Sequence, residues 1–201
     1  MFKKLLTLLL LGGGVLSAET RVLAISGSLR EDSCNTKLVK EAALEAKRQG
    51  AEVMVIDLRD FPIPFYDGDL ESKEGMPPHA KRLRQLMISS QAIFIATPEY
   101  NGSPSAVLKN ALDWASRNEQ GQPSREAFQG KKFAVMSASP GGGGGSRAAA
   151  HLQSILQNMG GTVVSTKVAV PSVYDAFDSQ GKLKSQQLRI QLQQQIQEAL
   201  K

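Results

Sequence analysis

The sequence turns on Arg21–Thr36, RVLAISGSLREDSCNT. Val22 to Ile25 are apolar in succession, the pattern of a parallel strand covered on both faces. Ser26-Gly27-Ser28 stops that strand, and Asn35 or Thr36 is placed to cap a helical segment over Leu38–Lys47. Between strand and helix come serine hydroxyls, Asn35, Thr36 and one arginine, Arg30. Hydroxyls, unpaired N–H groups at a helix N-terminus and a guanidinium fork are together what a phosphate dianion requires. The stretch therefore predicts a phosphate cradle after the first strand of an α/β domain. A plain strand–loop–helix connection is the alternative these residues allow.

Two well-known phosphate loops do not match it. There is no G-x-x-x-x-G-K-[ST], which disfavours a P-loop nucleotidase. There is no G-x-G-x-x-G, the loop that brings a pyrophosphate against backbone, which disfavours a dinucleotide site. Donors drawn mostly from side chains, with one Arg, suit a single terminal phosphate. That points to a mononucleotide such as FMN.

At 201 residues the chain has the length of one domain with a proper core, and 41% hydrophobic and 21% charged residues match a soluble globular composition. The net charge of +5 is dispersed and aromatics are few, so no nucleic-acid footprint stands out. Cys34 is the single cysteine, which excludes an internal disulfide. His79 and His151 stand apart from any carboxylate or cysteine cluster and read as structural, so no metal site is expected.

Residues 1–18 differ in composition from the rest of the chain. Lys3 and Lys4 precede the apolar run Leu5–Leu11, then Gly12–Gly14 and the small residues Ser17 and Ala18. That is the outline of a secretory signal, and the run is shorter than the roughly 20 residues that span a bilayer. The expectation is an exported, periplasmic domain over 19–201 without stable membrane insertion after cleavage. An uncleaved anchor, or a start codon placed too early on a cytoplasmic protein, is the alternative.

Beyond the first loop, a helix runs to Gln49 and ends at Gly50, and Ala51–Leu58 forms a strand. Arg59–Pro78 reads as a long ordered loop, His79–Ser90 as a helix and Ala92–Ala96 as a buried strand. Pro98-Glu99-Tyr100-Asn101-Gly102 forms a turn beyond that strand, with Ser103 or Ser105 capping a helix over Ala106–Ser116. Lys131–Ser137 is the fourth strand, followed by Ser139-Pro140 and the glycines Gly141–Gly145. Lying between a strand and the helix Ala148–Met159, that run predicts close backbone approach to a ligand. Thr162–Val170 is the fifth strand, Pro171–Gly181 a surface excursion, and Leu183–Leu200 a closing helix with Leu188, Leu192, Ile196 and Leu200 on one stripe. Alternating strands and helices give a three-layer α/β sandwich with a five-stranded parallel sheet. In the flavodoxin-like order 2-1-3-4-5, ligands lie beyond strands one and three, where the two polar loops meet.

Gly27-Ser28-Leu29-Arg30-Glu31-Asp32-Ser33-Cys34-Asn35 resembles the phosphate loop of the NAD(P)H-dependent FMN reductases, a family that includes quinone, chromate and azo-dye reductases. Pro98-Glu99-Tyr100-Asn101, then Leu108-Lys109-Asn110 and Asp113-Trp114, resembles its flavin-ring loop and following helix, and Ser139 with Gly141–Arg147 its third loop. The resemblance implies that Ser26, Ser28, Arg30, Ser33 and Asn35 bind the FMN phosphate, with Thr36 joining at the helix start. It implies that Pro98, Glu99, Tyr100, Asn101 and Gly102 hold the isoalloxazine edge, and that Ser137, Ser139 and Gly141 lie near the ring and ribityl chain. It further implies electron transfer from NAD(P)H through FMN to a small acceptor, no catalytic side chain, and a dimer or tetramer. The N-terminal extension departs from the family pattern, since these reductases are cytoplasmic. A flavodoxin-type carrier without NAD(P)H turnover, or the same fold without flavin, are the rival readings; the basic chain and Arg30 oppose the first.

Overall fold

The computed structural model describes residues 19–201. The leader expected over residues 1–18 lies outside the described residues. Strands β1 (Arg21–Ser26), β2 (Glu52–Asp57), β3 (Ala92–Thr97), β4 (Lys132–Ala138), β5 (Thr162–Val163) and β6 (Val168–Val170) form one sheet. Its order is β2-β1-β3-β4-β5, with β6 also paired to β4. Every pairing is parallel, and Ser26 lies beside Ala96 while Thr97 lies beside Ser137, so the carboxyl ends finish level.

Side chains alternate between two cores, as the pleat demands. Val22 and Ala24 of β1, with Phe94 of β3 and Met136 of β4, face helices α1 (Cys34–Arg48) and α7 (Gln186–Leu200). Leu23, Ile25, Ile93, Ile95 and Phe133 face α3 (Pro78–Ser89), α4 (Ala106–Ala115) and α5 (Ser146–Asn158). Two apolar faces explain the unbroken hydrophobic runs and give the expected three layers. The chain leaves β1 toward β2 on one side and returns to β3 on the other, so order reverses between β1 and β3. A crevice opens there, at the strands' carboxyl ends.

Three expectations need correction. The fifth strand is not continuous: Thr162–Val163 and Val168–Val170 pair with β4 separately. Between them the amides of Ser165 and Thr166 donate to Glu198 at 3.0 and 3.1 Å, and Gln195 Nε2 donates to Thr166 and Val135 carbonyls at 2.8 Å each. Side chains of α7 thus replace ladder bonds. The closing helix begins at Gln186 rather than Leu183, capped by the Ser185 hydroxyl; Leu183 is fully buried ahead of it. The helix after β1 is capped by Ser33, whose Oγ accepts from Thr36 N, and not by Asn35 or Thr36.

The long connection after β2 contains a 3-10 turn at Leu58–Asp60, a strap, and α2 (Gly68–Glu74). Side chains of α4 fasten the strap. Trp114 Nε1 donates to Pro64 O at 2.8 Å, and Asn110 accepts from Tyr66 N at 2.8 Å while donating to Pro64 O at 3.0 Å. The Tyr66 ring stands edge-on to Trp114 with centroids 5.0 Å apart. Its hydroxyl donates to buried Glu71, which also receives Arg117 Nε at 2.9 Å. Those hydrogen bonds, Arg117 first and Tyr66 after it, hold the Glu71 carboxyl below the usual carboxylate range against the opposing effect of burial. A carboxyl lowered in the folded state stabilises above its unfolded pKa, and that contribution disappears as pH falls through the lowered value. Acid titration followed by Trp114 fluorescence is expected to show a step below the ordinary carboxylate range, before the sheet unfolds. Glu71→Gln removes that step.

Candidate functional site

A cleft of about 540 Å³ opens at the carboxyl ends of β1, β3 and β4. Of the expected residues, Ser28, Arg30, Ser33, Asn35, Pro98, Glu99, Tyr100 and Ser139 line it. Ser26, Thr36, Asn101, Gly102, Ser137 and Gly141 do not line it. Val173 and Tyr174, from the short helix α6 (Val173–Ala176) within the segment read as a surface excursion, complete the wall.

The loop after β1 is shaped by its own hydroxyls. Gly27 N extends the ladder by donating to Ala96 O at 2.8 Å, and a Cβ on Gly27 would meet Leu108 Cδ2 at 2.9 Å, so a side chain here would displace the tip of Leu108 on α4. Ser26 Oγ accepts from Ser28 N and from Thr36 Oγ1, at 3.3 and 2.9 Å. Those two hydroxyls stand behind the cleft and set the curve of its floor. Ser28 Oγ accepts from Arg30 N at 3.3 Å. The N–H groups of Cys34 and Asn35 belong to the first turn of α1 and have no intrahelical acceptor, which makes this helix end attractive to an anion.

Asn35 has a different task from the one expected of its side chain. Its Nδ2 donates to Ala138 O at 3.0 Å and its Oδ1 accepts from Ala138 N at 2.9 Å. The carboxamide pairs with the end of β4 as a neighbouring strand would.

Three carboxylates line the cleft, Glu31, Asp32 and Glu99, and two of them are paired, while Glu31 makes no ion pair among the described residues. Asp32 is neutralised by Lys37 at 2.6 Å. Glu99 accepts from Arg147 Nε at 2.9 Å and from Ala148 N at 3.4 Å. Arg147 holds the Glu99 carboxyl below the usual range, the α5 amides adding to the effect. The Glu99 side chain therefore ties the loop after β3 to α5, leaving its backbone at the cleft wall. Arg30 is exposed and makes no ion pair among the described residues. Burial pushes the Cys34 thiol up, so it stays protonated and adds no negative charge beside the helix end.

The turn after β3 is a two-residue hairpin. Tyr100 and Ser103 exchange backbone bonds at 3.0 and 3.1 Å, with Asn101 and Gly102 both at positive φ, 53° and 79°. That is the conformation which favours an Asn-Gly pair. Ser105 caps α4 and also donates to Gly27 O, binding this loop to the first. Ser103 Oγ lies 3.0 Å from His151 Nδ1 on α5.

The glycine run approaches the protein itself. A Cβ on Gly144 would lie 2.8 Å from Ala169 and Val170 backbone carbons, and one on Gly145 3.0 Å from Ser137 Cβ. Ser137, expected near the ribityl chain, is fully buried beneath the run, and its hydroxyl donates to Gly144 O at 2.8 Å. It shapes the third loop from below. Gly141 and Gly142 meet nothing within 4 Å and stand exposed.

A parallel α/β sheet with a phosphate-seeking helix end at its switch point defines a mononucleotide-binding domain of flavodoxin-like architecture. Residues 20–175 match the family described as NADPH-dependent FMN reductase, and the chain belongs to that family. It is 38% identical over 183 residues to an NAD(P)H-dependent FMN reductase of Pseudomonas aeruginosa, covering 90% of this chain and 94% of that protein. It is 33% identical over 141 residues to a quinone reductase of Escherichia coli K12, covering 70% and 71%. The solved structure of FerB, a flavoenzyme NAD(P)H:acceptor oxidoreductase from Paracoccus denitrificans, superposes with a TM-score of 0.74 at 30% identity. That likeness covers 89% of this chain and 93% of FerB.

Two stability measurements test the loop geometry. Asn35→Ala leaves both backbone groups of buried Ala138 unpaired and is expected to lower unfolding free energy by about 2 kcal/mol or more in denaturant titration. Gly144→Ala combines a backbone clash with a left-handed φ of 60° and is expected to cost about 2–4 kcal/mol, whereas Gly142→Ala leaves the midpoint unchanged.

Proposed function

We propose that this protein is an FMN-dependent NAD(P)H oxidoreductase that passes electrons to a small quinone-type acceptor. The observation that carries the reading is the conjunction, in one cleft, of Arg30 without an ion pair, the Ser28 and Ser33 hydroxyls, the Cys34 and Asn35 N–H groups at the start of α1, and Tyr100 of the hairpin. The chemistry of this donor set fits a phosphate monoester: one guanidinium and helix-end N–H groups, with Asp32 and Glu99 neutralised by Lys37 and Arg147 and Glu31 the one lining carboxylate without an ion pair among the described residues. The names of the Pseudomonas, Escherichia and Paracoccus relatives support the same chemistry.

In this reading Ser28, Arg30, Ser33 and the N–H groups of Cys34 and Asn35 hold the phosphate. Ser26, Thr36 and the Asn35 side chain keep that loop in shape. Pro98, Glu99, Tyr100 and Ser139 border the ring, Asn101 and Gly102 form the turn behind them, and Glu99 anchors the hairpin through Arg147. When bound, FMN supplies the two-electron exchange between reduced nicotinamide and acceptor. The chain's own contribution is position and fixed dipoles, and no side-chain acid or base is assigned. We extend the reading to a dimer or tetramer, as the family resemblance implies. The charged–apolar–small pattern of residues 1–18 supports export or anchoring of the domain over 19–201.

Protein saturated with FMN under anaerobic conditions is expected to lose its visible flavin absorbance on addition of NADPH or NADH and regain it on addition of a quinone. Bound FMN that no nicotinamide bleaches would leave an electron carrier in place of a reductase. Arg30→Ala is expected to weaken FMN binding about tenfold or more, by loss of charge-assisted bonds, in a fluorescence titration.

A further inference from the structure

We propose that Tyr174 is a ligand of the FMN phosphate, its phenol donating to the phosphoester from the wall of the cleft opposite the Tyr100 hairpin. The proposal rests on the reading of this cleft as the FMN site. The turn that presents Tyr174 is built under strain. Immediately after β6 and Pro171, Ser172 adopts a left-handed conformation, φ 47° and ψ 46°, without being glycine. Such conformations persist where surrounding structure enforces them, and they gather at ligand clamps. Here they are enforced from both sides. Val173 is 5% exposed within the α1/α7 core, and Asp175 N donates to Ser172 O at 3.1 Å.

The same turn is moored to the phosphate end of the cleft. The Cys34 thiol, in the first turn of α1, lies 3.8 Å from Val173 O. Tyr174 therefore comes directly after a residue held against the helix end whose Cys34 and Asn35 N–H groups have no intrahelical acceptor. The side chain lines the cleft and is 76% exposed, while the neighbouring Asp175 carboxylate does not line it. Tyr66 gives its hydroxyl to Glu71, but the Tyr174 hydroxyl has no protein partner among the described residues. A phenol O–H left free in a cleft that Arg30 and the start of α1 also line matches an anionic acceptor.

The test compares FMN with riboflavin, which has the same ring and ribityl chain without the phosphate. Apoprotein of the full chain is titrated with each flavin, following quenching of flavin fluorescence, for wild type, Tyr174→Phe and Tyr174→Ala. Both variants are expected to lose about tenfold in FMN affinity and less than twofold in riboflavin affinity. Unchanged FMN affinity in both overturns the proposal. So does an equal loss for both flavins in Tyr174→Ala with Tyr174→Phe unaffected, since the ring would then act only as a wall. Wild type that fails to prefer FMN over riboflavin overturns the phosphate site itself, a failure distinct from that of Tyr174. The exposure of the side chain keeps either variant folded, which an unchanged melting temperature verifies.

Discussion

One carboxamide sets the shape of the cleft. Asn35 joins the loop after β1 to the end of β4 across the intervening strand β3, engaging both the N–H and the C=O of Ala138. Two directional bonds to one residue fix distance and orientation together. The other loops are stitched in the same manner: Ser105 to Gly27 O, Glu99 to Arg147 and Ala148, Ser137 to Gly144 O. Each connection beyond the sheet thus hands a side chain to another connection, and what stays free points to the opening. Backbone donors held this way lose little freedom when a ligand binds.

The scaffold beneath those loops relies on α4. Its apolar face fills the core with Leu108, Ala111 and Leu112, while Asn110 and Trp114 reach across to the strap after β2. These last two belong to the sequence pattern that resembles a flavin-ring helix. Their partners in the structure are Tyr66 and Pro64, so the pattern there records fastening of a long connection to the helix beyond the hairpin.

Much of this was legible in the residues alone. β1, β3 and β4 carry the apolar runs Val22–Ile25, Ala92–Ala96 and Phe133–Met136 because both faces are covered, and the Asn-Gly pair after Tyr100 declares its turn through local conformational preference. What escaped depends on distant partners. The Ser165-Thr166 break within an apolar run is intelligible only once Glu198 and Gln195 stand opposite it. The tightness at Gly144 comes from β6, and the placement of Tyr174 in the cleft from a turn moored to Cys34. The polar pair in Val164–Lys167 was a visible hint; for Ser172 no residue type foretold a left-handed backbone.

The dependence of the sheet's edge on α7 has a consequence for biosynthesis. Gln195 and Glu198 are translated after every strand, and they satisfy backbone groups that β4 and the break beside it leave open. Val170, whose carbonyl accepts from Ser139 N, sits on the short strand beyond that break. During vectorial synthesis, then, the β1 and β3 loops can form on a nascent sheet, but the third wall waits for the final helix to dock. Closure of the cleft's third wall thereby depends on a segment made later than every strand it braces.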